Sequence, residues 1–360
     1  MTDAPIRYRP DVEEVKPDEA ETIAGLNQTF DVILERTAED YGHAVRSVHA
    51  KAHALLEGEM TIDADLPPEV AQGLFATPGR HKLLMRISTN AGDILPDAIS
   101  LPRGLAIKVF DVAGERLPGA EGETQDFVLN NGKVFQAKDA AAFLSNLKLL
   151  AKTTDRLEGT KTVLSTVLRG VHNALDAVGA QIPAVDTLGG APNVDPLGET
   201  YFSVTPYRWG DYIAKFRIVP VAPALTALTG RIIDANGRED AIRSEVREEM
   251  ARIDGEWEFQ VQLCRDLDRQ PVEDPTVEWQ EEEAPFQRVA TIRAAAQDSY
   301  SDAHVQQINE QSRFSIWTGL AAHQPLGNVN RARNATYRHS ADFRARVNGC
   351  PYHEAMRAAE

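Results

Sequence analysis

Cysteine is almost absent from this chain: Cys264 and Cys350 are the only two in 360 residues. That excludes a disulfide scaffold and a four-thiolate zinc or iron–sulfur site. Long apolar runs are missing too, and no window approaches the ~20 continuous apolar residues of a membrane-spanning helix. Basic residues are outnumbered, 38 Lys+Arg against 54 Asp+Glu, which leaves a net charge of −16. Such a surplus repels phosphate backbones and anionic lipid heads, so neither a nucleic acid nor a membrane is an expected partner. Nucleotide fingerprints are lacking: no GxGxxG opens a helix and no GxxxxGK(S/T) cradles a phosphate. No GxSxG elbow is present either. The first 35 residues are polar and acidic, without the basic flank and apolar core of an export signal, so a reduced, cytoplasmic setting is expected.

What is present is the composition of a folded globular chain, 42% hydrophobic and 26% charged. Residues 1–19 read as an extended arm, and 20–360 as one domain. Apolar spacings of three and four predict a helix over 20–38 and another over 44–56, the latter running into a strand near 59–62. Strands are expected over 82–88, 105–111 and 125–129, with turn signals at Asn90-Ala91-Gly92, Pro102-Arg103-Gly104 and Asn130-Asn131-Gly132 between them. Helices follow at 139–152 and 160–178, strands at 201–207, 212–219 and 257–263, and a mostly helical remainder from 299. Barrel strands thus span about 59–130 and 201–294, with helices at 139–180 and 300–360. This order lacks the strict alternation of a doubly wound sheet, which indicates an α+β fold with an antiparallel sheet or barrel.

His43, His49 and His53 form the one histidine cluster. On a helix, His49 and His53 would share a face as zinc ligands do, but no HExxH pattern supplies a carboxylate base. The Cys350-Pro351-Tyr352-His353 pair is expected to be surface tail.

Five segments act together: Arg46-Ser47-Val48-His49-Ala50-Lys51, Arg86-Ile87-Ser88-Thr89, Pro102-Arg103-Gly104-Leu105-Ala106-Ile107-Lys108, Asn130-Asn131-Gly132-Lys133-Val134-Phe135 and Arg333-Asn334-Ala335-Thr336-Tyr337. In this order and spacing they resemble the haem-binding core of the catalase superfamily, closest to its short, catalase-related branch of peroxidases and allene oxide synthases. The likeness runs from about residue 35 to 344. It implies a catalase-like antiparallel β-barrel core with flanking helices, and haem b between the barrel and a C-terminal helix.

Tyr337 matches the axial ligand of the haem iron, and Arg333, four residues earlier, would lie on the same helical face. A free phenol has a pKa of ~10, and a nearby guanidinium favours the phenolate that binds ferric iron. Arg344, about three turns beyond Arg333, matches a propionate partner, as do Arg46 and Arg86. On the opposite haem face His49 matches the proton shuttle, Ser88 the hydroxyl that orients it, and Asn130 the amide that assists bound peroxide. Phe135 and Phe143 match aromatic positions flanking the porphyrin, and Val48, a further cofactor-binding position, matches the valine common in true catalases, where allene oxide synthases tend to carry threonine.

Leu101 stands where dismutating catalases carry a channel aspartate, a change toward an apolar throat that favours organic hydroperoxides. The resemblance therefore implies a haem peroxidase that reduces organic hydroperoxides, and hydrogen peroxide with weak catalase activity, through a ferryl intermediate at the expense of an organic electron donor. A homo-oligomer, dimer or tetramer, is implied as well. Alternatives are a fatty-acid hydroperoxide-rearranging enzyme of allene oxide synthase or lyase type, a dismutating catalase, and a haem carrier on the same barrel.

Overall fold

In β8 (Gly255–Leu263) the residues Trp257, Phe259, Val261 and Leu263 alternate with Glu258, Gln260 and Gln262, and the apolar set is buried. This period of two is the signature of a strand with one face on a core. Such strands build the centre of the molecule, a computed structural model that describes residues 4–154 and 192–349. The others are β1 (Ala52–Ile62), β2 (Arg80–Thr89), β3 (Arg103–Val109), β4 (Gln125–Asn130), β5 (Tyr201–Phe202), β6 (Tyr207–Trp209), β7 (Tyr212–Pro220) and β9 (Gln287–Ala294).

All pairings are antiparallel, in the order β5-β4-β3-β2-β1-β9-β8-β7, and β5 closes the ring by pairing with β7. The result is an eight-stranded barrel, with β6 appended to β7. A barrel of eight strands is just wide enough for side chains to fill. Here the filling is aromatic: Phe127 meets Phe259 at 4.9 Å and Phe216 at 5.2 Å, and Phe75 stacks on Trp209 at 4.9 Å.

Helices α1 (Glu19–Tyr41), α2 (Ala140–Thr154) and α4 (Asn328–Asn348) form a layer outside the barrel. They are joined by Leu26, Phe30, Leu34, Leu147, Ala332 and Phe343. Helix α3 (Ala241–Met250), which the sequence reading passed over, packs Ile242, Val246 and Met250 into the barrel core.

Three local expectations are corrected. Residues 44–56 are not helical: 44–51 form a loop and β1 begins at Ala52. His49 has φ 56, which no α-helix accommodates, and from Ala52 on, Ala-Leu-Glu helix propensity yields to pairing with β2, with β9 joining on the other side of β1 only at Glu59–Ile62. The expected strand over 201–207 is broken after Phe202 by a turn at Val204, φ 54. The segment 311–327 is irregular apart from one turn at Ala321–His323. Its backbone is used elsewhere, with Asp126 N donating to Thr318 O at 2.9 Å and Arg208 N to Gln324 O at 2.8 Å. The helix expected at 160–178 and the Cys350–His353 pair lie outside the described residues.

Candidate active site

Strand register builds one wall of a cavity of about 640 Å³, part of it open to solvent. Arg86 pairs with Ala106 and Ala106 with Val128; Ser88 pairs with Gly104 and Gly104 with Asn130. Residues paired across strands share a face, so two parallel rows cross β2, β3 and β4. Arg86, Ala106, Val128, Ser88 and Gly104 all line the cavity, and Asn130 ends the second row without lining it. The facing wall is α4, which presents Tyr337, Ser340, Ala341 and Arg344 at helical spacing.

The loop 44–51 closes one end, with Arg46, Ser47, Val48 and His49 lining the cavity. It is fastened to the helix by Ser47 N donating to Ser340 Oγ at 3.2 Å. His49 Nδ1 lies 3.1 Å from Ser88 Oγ, and Arg86 Nη2 donates to the His49 carbonyl at 2.8 Å. Burial, then the positive charges of Arg86, Arg333 and Arg46, push the His49 pKa down to about 3. The imidazole is therefore neutral at neutral pH, with a lone pair free for a proton.

On α4, Arg333 Nε and Nη2 donate to the Tyr337 hydroxyl oxygen at 3.0 and 2.6 Å. Burial opposes the charge on Arg333, but the phenols of Tyr337 and Tyr207 outweigh it and hold the guanidinium above its usual range. The i, i+4 pair of the sequence is thus a two-bond clamp on one phenol oxygen.

Three guanidiniums converge at the same cavity. Arg46 Nη1 and Arg86 Nε share Asn309 Oδ1 at 3.0 and 3.1 Å, and Arg344 Nη2 donates to the Asn309 carbonyl at 3.0 Å. Burial is the largest influence lowering all three; Arg344 and Arg86 add to it at Arg46, and Arg86 falls to about 9. Glu310, the carboxylate that acts on all three, is itself paired with His43 at 2.9 Å. Arg344 Nε is buried without a partner. The site has more positive charge than its own carboxylates neutralise, and a dianion fits there.

Of the residues singled out in the sequence, Arg46, Val48, His49, Arg86, Ser88, Tyr337 and Arg344 line this one cavity, and Arg333 stands behind Tyr337. Phe135 and Phe143 contact each other at 5.6 Å and are not among its walls. Leu101 is buried, is not a wall, and accepts a bond from Arg103 Nη1 through its carbonyl. The histidine cluster disperses: His43 pairs with Glu310, His53 with Thr89 at 2.6 Å, and no group of three His, Cys, Asp or Glu among the described residues could hold a metal ion. Asn309 and Glu310 escaped sequence reading, because they sit in a short π-helical segment (Val305–Glu310) that carries no periodic signal.

Solved structures share this architecture. A fungal catalase superposes over 90% of this chain with a TM-score of 0.59 at 18% identity. Catalase A from Saccharomyces cerevisiae does so over 90% with 0.59 at 19% identity, and a bacterial catalase over 91% with 0.60 at 17% identity. This is the catalase fold. The chain spans 65%, 68% and 63% of those three catalases. No family model matches the sequence, and no curated protein does. In this version of the catalase fold, the cavity lies between the outer face of β2–β4 and α4.

Proposed function

We propose that this protein is a haem-dependent peroxidase of the catalase-related kind, reducing organic hydroperoxides and, more weakly, dismutating hydrogen peroxide. One observation carries the proposal: a clamped phenol and a neutral imidazole line the same cavity from opposite elements, with three undercompensated arginines beside them. Haem b fits this donor set. Tyr337 would hold the iron, Arg333 would sustain the phenolate, and Arg46, Arg86 and Arg344 would meet the two propionates. When bound, the haem supplies a redox-active iron that exchanges electrons with a peroxide and with an organic donor.

The chain's own residues handle the protons and the fit. With a proton on Nδ1 donated to Ser88 Oγ, His49 keeps Nε2 as a base, takes the hydroperoxide proton and returns it to the departing oxygen. The balance is ROOH plus two electrons and two protons to ROH plus water. Asn130, which ends the cross-strand row beside the cavity, would be the amide that donates to the peroxide. Val48, Leu105, Ala106, Val128 and Phe314 make the walls largely apolar, which suits an organic group.

The test is an absorption spectrum of the purified, haem-supplied protein, followed by turnover of cumene hydroperoxide and of hydrogen peroxide with and without a phenolic donor. A Soret band and donor-dependent consumption of the organic peroxide are expected. Oxygen evolution as the main outcome would identify a dismutating catalase. Donor-free consumption of a polyunsaturated fatty-acid hydroperoxide would identify a rearranging enzyme, and a protein that takes up no haem would end the proposal. His49→Ala should bind haem normally yet turn over roughly 10²–10⁴-fold more slowly.

A further inference from the structure

Behind Tyr337 lies a polar assembly that the chemistry above does not use. Thr205 N donates to the Ser203 carbonyl at 2.7 Å, which closes a γ-turn around Val204 at φ 54. Turns of this hand are rare and strained, and positive φ on a β-branched residue is an outlier. The turn is buried and braced: Ser203 Oγ donates to the Thr205 carbonyl at 3.0 Å and accepts Phe216 N at 3.2 Å. Its product is one placed hydroxyl. Thr205 Oγ1 reaches Asn330 Oδ1 at 3.0 Å, with the Ser203 carbonyl as a second acceptor at 3.1 Å.

Asn330 is 0% exposed. Its Nδ2 donates to the carbonyls of Pro206 and Leu326 at 3.1 and 3.0 Å, and its Oδ1 also accepts Arg333 Nη1 at 3.2 Å. All four positions of the amide are used, and the two carbonyls fix which end is which. Arg333 is consequently held at both ends, Nη1 by Asn330 and Nε with Nη2 on the Tyr337 oxygen. A guanidinium is a rigid planar fork, so anchoring one prong sets the plane in which the other two meet the phenol.

We infer that Asn330 is a positioning residue for the Arg333–Tyr337 clamp, and that the strained Ser203–Thr205 turn serves to hold it. Strain persists where the surroundings over-determine it, and it gathers at functional sites. The significance for iron ligation rests on the function proposed above; the positioning itself does not.

The experiment follows the Arg333 Nε–H signal in ¹⁵N-labelled, haem-free protein, identified by its loss in Arg333→Lys. Wild type should exchange slowly with water, Asn330→Leu at least tenfold faster, Thr205→Val faster by less, and Thr205→Ser close to wild type. Unchanged exchange in folded Asn330→Leu would overturn the inference. If that variant does not fold, unchanged exchange in Thr205→Val overturns it instead. In haem-loaded protein, Asn330→Leu should shift the phenolate-to-iron band, and should add nothing in an Arg333→Lys background. Equal shifts in both backgrounds would mean a purely structural role. A wild-type protein without a phenolate band, but with the expected exchange pattern, would refute iron ligation and leave the positioning role intact.

Discussion

His49 reaches the cavity from a backbone conformation that side chains rarely adopt, φ 56, and the ring then lies directly over Gly104. The glycine is required by that approach, since a Cβ at position 104 would collide with His49 Cε1 and Nδ1. The ring has little freedom to yield: its backbone is held by Asn90 O and Arg86 Nη2, and its Nδ1 by Ser88. Gly104→Ala should therefore displace the imidazole. Misplacement of a catalytic group by ~1 Å can cost about 10²-fold. We expect hydroperoxide turnover to fall by roughly that factor while haem uptake is retained, and steady-state kinetics beside a haem titration checks both.

Helix α4 carries Arg333, Tyr337, Ser340 and Arg344, so whatever fixes its angle fixes the site. Its first turn is received by carboxylates: Glu13 Oε1 accepts Gly327 N at 2.8 Å and Glu273 Oε2 accepts Asn328 N at 2.7 Å. Negative groups at a helix N-terminus also suit its dipole. Arg331 ties these acids together, with Glu13 at 2.6 Å, Glu19 at 2.9 Å and Glu273 at 3.0 Å. Burial would raise the pKa of Glu19, but bonds from Arg331 and Asn328 outweigh it and hold the carboxyl below its usual range. Its stabilising contribution is therefore fully present above the unfolded-state value and is lost as pH falls from there through the lowered folded-state value. Arg331→Ala strands a buried carboxylate, which should cost about 3 kcal/mol at pH 7. The deficit should shrink near pH 4, where Glu19 can take a proton. Urea unfolding of both proteins at the two pH values measures it.

The molecule as a whole places an ionisable ring in its apolar centre. His323 is buried among Trp209, Phe75 and Phe127, accepts Leu74 N at 3.0 Å, and has its pKa pushed down by burial to about 3. The unfolded chain, with an ordinary value of ~6.5, binds a proton that the folded chain refuses. Stability from this group is complete above ~6.5 and falls as pH drops toward 3, by roughly 2 kcal/mol at pH 5. His323→Phe keeps the aromatic contact and removes the titration. It should start less stable at pH 7, because Leu74 N loses its acceptor, yet lose less stability than wild type between pH 7 and pH 5. Denaturant midpoints at both pH values decide this. At the same scale, no helix among the described residues is long and apolar enough to cross a membrane.

Local patterns were enough for part of this. The period-two alternation of 257–263, the apolar run of 82–88 and the four-residue spacing of Arg333 and Tyr337 are short-range, and they hold in β8, β2 and α4. The five segments matched the catalase pattern across the chain, and the barrel they implied is the one observed. What spacing could not determine were the contacts made at a distance. Residues 44–56 have helical composition, yet pairing with β2 draws their second half into the barrel, so His49 and His53 never share a helix face. Only the pairing of Ser88 with Gly104 brings His49 to its hydroxyl, and only the packing of 305–310 gives three arginines their common acceptor. Periodicity records which face of an element is apolar; register and packing, which depend on residues far apart in the chain, decide which polar groups meet.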